Sequence, residues 1–246
     1  MTLEENLNLL NDTKKRIKAS LDVKVPQSTD DKTFGEYNTI VDGIKQFSTN
    51  IDDYTITDCV KSDDITDTSI SSVNQYTKSV NIPTTVKTLG NHCFKNCSGL
   101  TEVTIPESVT SLGDSCFSYC KSLTSVTIGN SVTSLGDWCF SNCTSLTGIT
   151  IPNSVTSLDT SCFSNCDSLS AITIPDYVTS LGTSCFSSCD SLKSVICKPT
   201  TPPTLGGDAF VGAPISAIYV PAESVDAYKS ATNWSKYAAK IQAITS

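Results

Sequence analysis

Residues 105–120 read IPESVTSLGDSCFSYC, and the same frame recurs along the chain. Later copies begin at Ile128, Ile151 and Ile174, each 23 residues after the one before it, and an earlier copy begins at Ile82. Phenylalanine fills one column in all five copies: Phe94, Phe117, Phe140, Phe163 and Phe186. A fixed period of this length is typical of a solenoid, in which each repeat forms one coil. We therefore predict that stacked coils make up most of the fold.

Each predicted coil combines a short strand with a turn. The segment Leu123-x-x-Val126-x-Ile128 matches the leucine-rich-repeat frame, and its alternating apolar residues are typical of a strand with one buried face. One coil buries too few side chains to offset the entropy lost on ordering it, so the coils must stack. The sequence predicts an α+β solenoid of 23-residue leucine-rich-repeat coils, with short strands and short helical turns, preceded by an N-terminal helical segment.

The repeats resemble a known family. Their pattern, I-P-x-S-V-T-S-L-G-x-x-C-F-x-x-C-x-S-L-x-x-V-T, is similar to the BspA-like leucine-rich repeats over about residues 79–246. These repeats are common in bacterial surface proteins, so the resemblance implies a leucine-rich-repeat solenoid at such a surface. The chain departs from the family in two respects. Cysteine precedes phenylalanine where alanine is usual, and the N-terminus lacks the features of an export signal.

Composition divides the chain into four predicted parts. Residues 59–221 form the solenoid, with degenerate first and last coils, and residues 222–246 form a helical C-terminal cap. The cap residues that we expect to face inward are Val225, Tyr228, Trp234, Tyr237 and Ile241. Residues 1–47 form a helical attachment or oligomerisation segment, followed by a polar linker at residues 48–58. Caps are expected because terminal coils otherwise expose apolar faces.

The first predicted helix carries apolar residues at a four-three spacing, with one lysine among them: Leu3, Leu7, Leu10, Lys14, Ile17 and Leu21. This short heptad pattern fits a coiled coil between copies of the chain, and equally a helix packed on its own partner helix. A second helix follows the capping box Thr33–Glu36. The two-helix unit is similar to a module at the start of tail and other virion proteins of bacteriophages, which implies attachment or assembly.

Composition also excludes some partners. The formal net charge is −8, which argues against binding to nucleic acid or to an anionic membrane, because both require basic patches. The N-terminus has acids where a secretory signal has bases, and no apolar run is long enough to span a membrane. We therefore expect no nucleic acid partner and no membrane insertion.

Ten of the twelve cysteines fall in two columns of the repeat. In the last, degenerate coil Ala209 and Ala213 occupy these columns, so the positions accept any small buried side chain. We predict buried free thiols; the alternative is disulfides between neighbouring coils, which stack about 4.8 Å apart. The C-x-x-x-C spacing is not that of zinc ribbons, and His92 is the single histidine. We expect no metal site and no cofactor.

Motifs of known catalytic chemistry are absent from the sequence. The chain has no G-x-S-x-G, no phosphate-binding glycine loop and no H-E-x-x-H. The pair His92-Cys93 is a poor nucleophile and base, because adjacent residues point in different directions and Cys93 belongs to a column predicted to be buried. We expect a protein without enzymatic activity.

Two outward columns are candidate binding surfaces. One is the threonine column of the strands: Thr104, Thr127, Thr150 and Thr173. We predict a flat row there. It either binds a partner or only forms the polar, solvent-exposed face of the sheet. The other is the His92 column, where Trp138 replaces serine and has Tyr119 and Lys121 in the neighbouring coil. An aromatic residue among small polar ones is typical of a contact site; the alternative is that Trp138 lies flat over the backbone.

These features favour a non-enzymatic structural or binding protein. The leading hypothesis is a bacteriophage virion protein of the tail or capsid, whose N-terminal helices assemble into an oligomer or dock. Its solenoid would then contact other virion proteins or a bacterial surface receptor, with weak contacts adding up across several copies. The alternative is a BspA-like adhesin of the bacterial cell surface that binds host glycoprotein or matrix.

Overall fold

The computed structural model describes residues 64–65 and 79–244. The described residues belong to one compact unit, Asp52–Ser246. Several predictions lie outside the described residues: the assembly helix, the second helix after Thr33–Glu36, the linker at residues 48–58 and most of the degenerate first coil. The assembly helix comprises Leu3, Leu7, Leu10, Lys14, Ile17 and Leu21.

Each coil contributes one longer strand and one two-residue strand. The longer strands are β2 (Ser79–Asn81), β4 (Glu102–Ile105), β6 (Ser125–Ile128), β8 (Gly148–Ile149), β10 (Ala171–Ile174), β12 (Ser194–Cys197), β14 (Ala217–Val220) and β15 (Ile241–Ala243). The short strands are β1 (Asp64–Ile65), β3 (Thr88–Leu89), β5 (Ser111–Leu112), β7 (Ser134–Leu135), β9 (Ser157–Leu158), β11 (Ser180–Leu181) and β13 (Thr204–Leu205). Burial alternates along β4, where Val103 and Ile105 point inward and Thr104 points outward, as the apolar alternation predicts.

Parallel pairing joins these strands into three sheets. The short strands form one seven-stranded sheet in chain order, β1-β3-β5-β7-β9-β11-β13. The longer strands form two four-stranded sheets, β2-β4-β6-β8 and β10-β12-β14-β15. The register is that of the repeat, since Val103 pairs with Val126. The sheet of longer strands is interrupted after β8, which keeps only its first two residues. The predicted solenoid of parallel coils is thus confirmed.

The Cys-Phe-x-x-Cys segment forms the third side of each coil as consecutive turns. The prediction of short helical turns is wrong there, because Ser115 and Tyr119 have φ values of 54° and 62°, which a right-handed helix excludes. The N–H groups alternate in direction. The N–H of Ser118 donates to the Ser115 carbonyl at 3.1 Å, whereas the N–H of Phe117 donates to the Cys139 carbonyl of the next coil at 2.8 Å. Every second N–H therefore links neighbouring coils.

Like side chains stack on like in the core. The phenylalanine rings form one continuous row: Phe94, Phe117, Phe140, Phe163, Phe186 and Phe210. Their ring centroids are 5.0–5.6 Å apart and their planes are nearly parallel. Leucine, valine and cysteine columns pack beside this row and are equally buried. Each coil therefore completes the core of the coil before it.

The C-terminal segment closes the last coil with helices and a strand. It contains one α-helix, α1 (Val225–Ser230), between the 3-10 helices Ala222–Ser224 and Trp234–Lys240. The predicted cap is helical only in part, because Ile241–Ala243 forms β15 and pairs with β14. Among the described residues, no helix combines the length and hydropathy of a membrane-spanning segment.

Two aromatic side chains anchor this cap. Tyr228 and Trp234 are fully buried. The Tyr228 hydroxyl donates to the Pro199 carbonyl at 2.9 Å, and the Trp234 indole N–H donates to the Pro203 carbonyl at 2.7 Å. Among the other residues that we expected to face inward, Ile241 is buried, and Val225 and Tyr237 are partly buried against the core. Burial of both rings with their polar atoms paired closes the apolar end of the stack.

Candidate functional site

The cysteine columns belong to the core. All eleven cysteines among the described residues are buried and free, so the alternative of disulfides between coils is not found there. In the second column the thiols of Cys120, Cys143, Cys166 and Cys189 donate to a phenylalanine carbonyl of the preceding coil, as from Cys143 to Phe117 at 3.3 Å. Burial raises the pKa of the Cys143 thiol to about 12. The thiolate, which is the nucleophile and the metal ligand, is therefore strongly disfavoured at neutral pH.

We expect the solenoid thiols to be unreactive in the native protein. The variant Cys59→Ser removes the one cysteine that lies outside the described residues. Treated with a thiol reagent and analysed by mass spectrometry, it should take up no label when native and eleven labels in denaturant, one for each buried cysteine. Rapid native labelling of Cys93 or of any other column cysteine would contradict the dry packing described here.

The predicted binding residues lie on two different faces. The threonine column is on the strand face, where Thr104 and Thr127 pair in adjacent strands and are exposed. Thr150 is exposed but lies outside a strand, because β8 ends at Ile149. Thr173 is half-buried. The prediction of one flat threonine row is therefore wrong: the row is broken where the sheet is interrupted.

A shallow groove of about 430 Å³ marks this interruption on the strand face. Its lining comprises Ser125, Val126, Gly148, Ile149, Thr150, Ala171, Ile172 and Thr173. These side chains are small or aliphatic and carry no charge. The groove offers hydroxyls and backbone polar atoms, but no charge and no large side chain, to a ligand.

A second groove, of about 530 Å³, lies on the turn face and contains Trp138 and Tyr119. We call it the turn-face groove. Its lining comprises Lys95, Ser115, Ser118, Tyr119, Trp138, Ser141, Asn142, Ser161, Ser164, Asn165, Ser184 and Ser187. Trp138 is 44% exposed and Tyr119 is 42% exposed, so both rings present much of their surface to solvent. His92 and Lys121, which we had grouped with them, do not line the groove.

Both aromatics of the turn-face groove occupy left-handed backbone positions. Trp138 has φ 53° in a column filled elsewhere by histidine, serine and, in the last coil, aspartate, and Tyr119 has φ 62°. Asparagine tolerates this conformation and fills the Tyr119 column at three other coils: Asn96, Asn142 and Asn165. A bulky residue with positive φ is an outlier, at a cost of about 1–2 kcal/mol. Because both outliers reduce stability, they indicate that the two rings have a functional role in the groove.

A row of buried serines runs through the turn-face groove. Ser118 is 2% exposed, and its hydroxyl oxygen is open to the groove, because Ser108 has the one fully buried hydroxyl without a partner among the described residues. The hydroxyls of Ser141 and Ser164 lie 2.8 Å apart, and the Asn142 amide donates to Ser141 at 2.8 Å. Our sequence reasoning missed this row and the asparagines beside it. The signal was present, because serine recurs every 23 residues from Ser118 to Ser187, directly before the column that Tyr119 interrupts.

Three carboxylates lie near one edge of the same turns. The Asp114 carboxylate accepts the N–H of Asp137 at 3.0 Å, and the Asp137 carboxylate accepts the N–H of Thr160 at 2.7 Å. Asp159 stands where other coils have glycine, as at Gly182. Burial, and then the charges of Asp137 and Asp114, raise the pKa of Asp159, while a hydrogen bond from Ser157 opposes the shift. No metal-binding group of three or more such side chains occurs in residues 64–65 and 79–244.

The variant Asp159→Asn should be more stable than the parent protein at pH 7. A carboxyl whose pKa is raised by folding adds stability below its ordinary pKa, and this contribution is lost as the pH rises through the raised value. Protonation of this carboxyl should therefore raise the free energy of unfolding of the parent protein between pH 7 and pH 4. The variant should lack this contribution, as measured by urea unfolding at both pH values. The exposed Asp176→Asn is the control. Equal pH dependence in the parent and in Asp159→Asn would contradict the assignment.

Comparison with known proteins identifies the repeat. The BspA type leucine-rich repeat region, described as six copies, matches residues 63–193 and 110–237. No curated protein is significantly similar to the chain. Because the match begins at residue 63, it gives no support to the phage-like module predicted at residues 1–47, which also lies outside the described residues.

Solved structures of leucine-rich repeat proteins are similar to the chain. One from Bacteroides ovatus is 28% identical, with a TM-score of 0.51, over 64% of this chain and 46% of that chain. A leucine-rich cell surface protein from Faecalibacterium prausnitzii is 26% identical, with a TM-score of 0.47, over 70% of this chain and 64% of that chain. The T. pallidum leucine-rich repeat protein is 24% identical, with a TM-score of 0.48, over 53% of this chain and 69% of that chain. The chain thus spans less than two thirds of the first two of these proteins.

The family assignment rests on the repeat itself. The two matched stretches together run from residue 63 to residue 237, which is more than half of the chain. Their columns are the buried phenylalanine, leucine and cysteine columns of the core. The chain therefore belongs to the BspA-type leucine-rich repeat family.

Proposed function

We propose that this protein is a non-enzymatic binding protein of a bacterial cell surface, which adheres to host glycoprotein or matrix through its solenoid. Membership of the BspA-type family supports this proposal, since repeats of this kind are common in bacterial surface proteins. The observation that carries it is the pair Trp138 and Tyr119, two exposed aromatic rings in one polar groove, at columns where the other copies have no phenylalanine, tyrosine or tryptophan.

The scaffold suits recognition because it holds these two rings in place. Backbone hydrogen bonds link the turn of Tyr119 to the next coil, from its N–H to the Ser141 carbonyl at 2.8 Å. A similar bond joins the N–H of Trp138 to the Thr160 carbonyl at 2.8 Å. A preorganised surface loses less conformational entropy on binding, so weak contacts yield more affinity. Copies displayed side by side on a cell would add avidity.

Binding of the full chain to immobilised mucin and to immobilised collagen tests this function. Mucin represents a heavily glycosylated protein and collagen a matrix protein. We expect measurable binding to at least one of them by biolayer interferometry, and a marked loss in the double variant Trp138→Ser/Tyr119→Asn. The control is Tyr177→Ser, which removes an exposed aromatic from a different serine column. Absence of binding to both surfaces, or full binding by the double variant, would count against the proposal.

A virion location is the second candidate, and the heptad pattern from Leu3 to Leu21 is the observation that favours it. If this helix assembles copies of the chain, the intact protein should sediment as an oligomer, whereas a chain starting at Ser48 should sediment as a monomer. Analytical ultracentrifugation of the two proteins makes this comparison. If both proteins sediment as monomers, the N-terminal helices do not assemble copies of the chain.

A further inference from the structure

We infer that the turn-face groove binds an oligosaccharide of neutral sugars. This inference rests on the proposed function and names the ligand class of the same surface. The lining residues recur through four successive coils, from Ser115 to Ser184. Coils stacked at the spacing of β-strands make this length about 15 Å. A groove of this length that is open along its course fits a short chain of sugar rings better than one small molecule.

The two aromatic rings supply the apolar part of such a site. Trp138 and Tyr119 belong to adjacent coils and expose 44% and 42% of their surface in the groove. A pyranose ring presents one face of C–H groups, and a flat aromatic ring is a complementary apolar surface for it. The rings replace serine and asparagine at backbone positions that disfavour large side chains. Binding of a ligand by Trp138 and Tyr119 would explain why these large side chains occupy left-handed backbone positions.

The serine row supplies the polar part. Ser115 and Ser118 are each more than nine-tenths buried, but their hydroxyl oxygens remain accessible from the groove, since Ser108 has the one fully buried hydroxyl without a partner among the described residues. Both hydroxyls can therefore pair with water or with a ligand in the groove. Sugar hydroxyls both donate and accept hydrogen bonds, as serine hydroxyls do. A polyhydroxylated ligand can therefore satisfy both serines at once.

The neighbouring coils contain a polarised chain of hydrogen bonds. The Asn142 amide donates to the Ser141 hydroxyl, which lies 2.8 Å from the Ser164 hydroxyl. When Ser141 in turn donates to Ser164, the hydroxyl hydrogen of Ser164 is left for a group in the groove. The carbonyl oxygens of Asn142 and Asn165 add acceptors beside it. The groove thus offers both donors and acceptors, which recognition of a sugar chain requires.

The charge of the groove argues against other ligand classes. Lys95 is the one charged residue in its lining, at one end. Nucleic acid would require several cations for its phosphates, and the chain carries a net charge of −8. A protein partner would require a packed apolar centre, whereas here hydroxyls and amides surround two separate rings. A neutral oligosaccharide requires neither several cations nor a packed apolar centre.

Titration with neutral pentasaccharides tests the inference. Cellopentaose, maltopentaose and chitopentaose are added to the full chain, and binding is followed by calorimetry and by tryptophan fluorescence. Trp234 is fully buried, so a change in emission on binding reports on Trp138. Three single variants are compared: Trp138→Ser, Tyr119→Asn and Tyr177→Ser. The first two install the residues that other coils carry in the same columns, which keeps the repeat intact.

We expect at least one pentasaccharide to bind, with affinity at least tenfold weaker in Trp138→Ser and in Tyr119→Asn and unchanged in Tyr177→Ser. Failure of all three sugars to bind would overturn the inference, as would equal affinity in Trp138→Ser. If mucin or collagen binding depends on Trp138 while no sugar binds, the ligand class is wrong and the adhesive function stands. If a sugar binds but neither surface does, the ligand class stands and the adhesive function is wrong.

Discussion

Replacing Phe140 with alanine should lower the free energy of unfolding by about 4 kcal/mol, because a fully buried aromatic ring is lost from the centre of the stack. Phe140 lies between Phe117 and Phe163, with ring centroids 5.4 Å away on both sides. Since each coil contacts only its neighbours, a gap here weakens the attachment of one half of the solenoid to the other. Urea denaturation followed by circular dichroism measures the loss.

The matched control at this position is Phe140→Leu, which keeps most of the volume and should cost about 1 kcal/mol. In a Trp138→Ser background, the emission of the buried Trp234 reports whether the C-terminal cap unfolds together with the centre. A loss below about 1 kcal/mol in the alanine variant would mean that the phenylalanine row is not the principal contact between coils.

Replacing Gly182 with alanine should lower the free energy of unfolding by about 2–3 kcal/mol, the cost of forcing atoms into a packed site. A Cβ at this position would lie 2.6 Å from the backbone nitrogen of Thr160 and 2.6 Å from the backbone carbon of Asp159. These atoms belong to the preceding coil and cannot move without separating the two coils. The N–H of Gly182 donates to the Leu158 carbonyl at 2.7 Å across this contact.

The matched control for Gly182 is Gly148→Ala, which should leave stability unchanged or raise it by about 0.5–1 kcal/mol. A Cβ at Gly148 meets nothing within 4 Å, and the next coil already has Ala171 at this position. Thermal and urea unfolding of both variants make the comparison. Equal stabilities of the two variants would show that close approach of the coils does not explain the glycine column.

Asp159 illustrates what happens where the glycine column is broken. Its N–H lies 3.4 Å from the Leu135 carbonyl, whereas the corresponding bonds of Gly136 and Gly182 measure 3.0 and 2.7 Å. The longer bond is what a Cβ facing the preceding coil should produce. The interruption of the longer-strand sheet, after Ile149, falls in the same part of the solenoid. The repeat thus tolerates a side chain at this position by opening the local contact between coils.

Most of the core could be predicted from columns alone. The phenylalanine, leucine and cysteine columns recur at one period, and a solenoid with that period places each column in one stacked row. Ala209 in the last coil showed that its column needs a small side chain, and the cysteines there are buried and free. The cap anchors Tyr228 and Trp234 followed from the same reasoning, because an end coil must be covered.

The binding surface could be predicted only in part. Trp138 and Tyr119 stood out because each interrupts a column of smaller polar residues. Their separation from the threonine column, and the exclusion of His92 and Lys121 from the groove, follow from the shape of the turn. Each turn has two left-handed residues four positions apart, such as Trp138 and Asn142, and no periodicity of helix or strand describes that geometry.

The order of residues in this chain was sufficient to establish the period, the parallel stacking and the identity of every core column, because these depend on which side chains leave water. The direction of each outward side chain is a different matter. It depends on turn dihedral angles and on hydrogen bonds between coils, as between the N–H of Tyr119 and the Ser141 carbonyl. Those contacts exist only after neighbouring coils have stacked. They place two aromatic rings over a row of buried serine hydroxyls, and a linear pattern does not encode that arrangement.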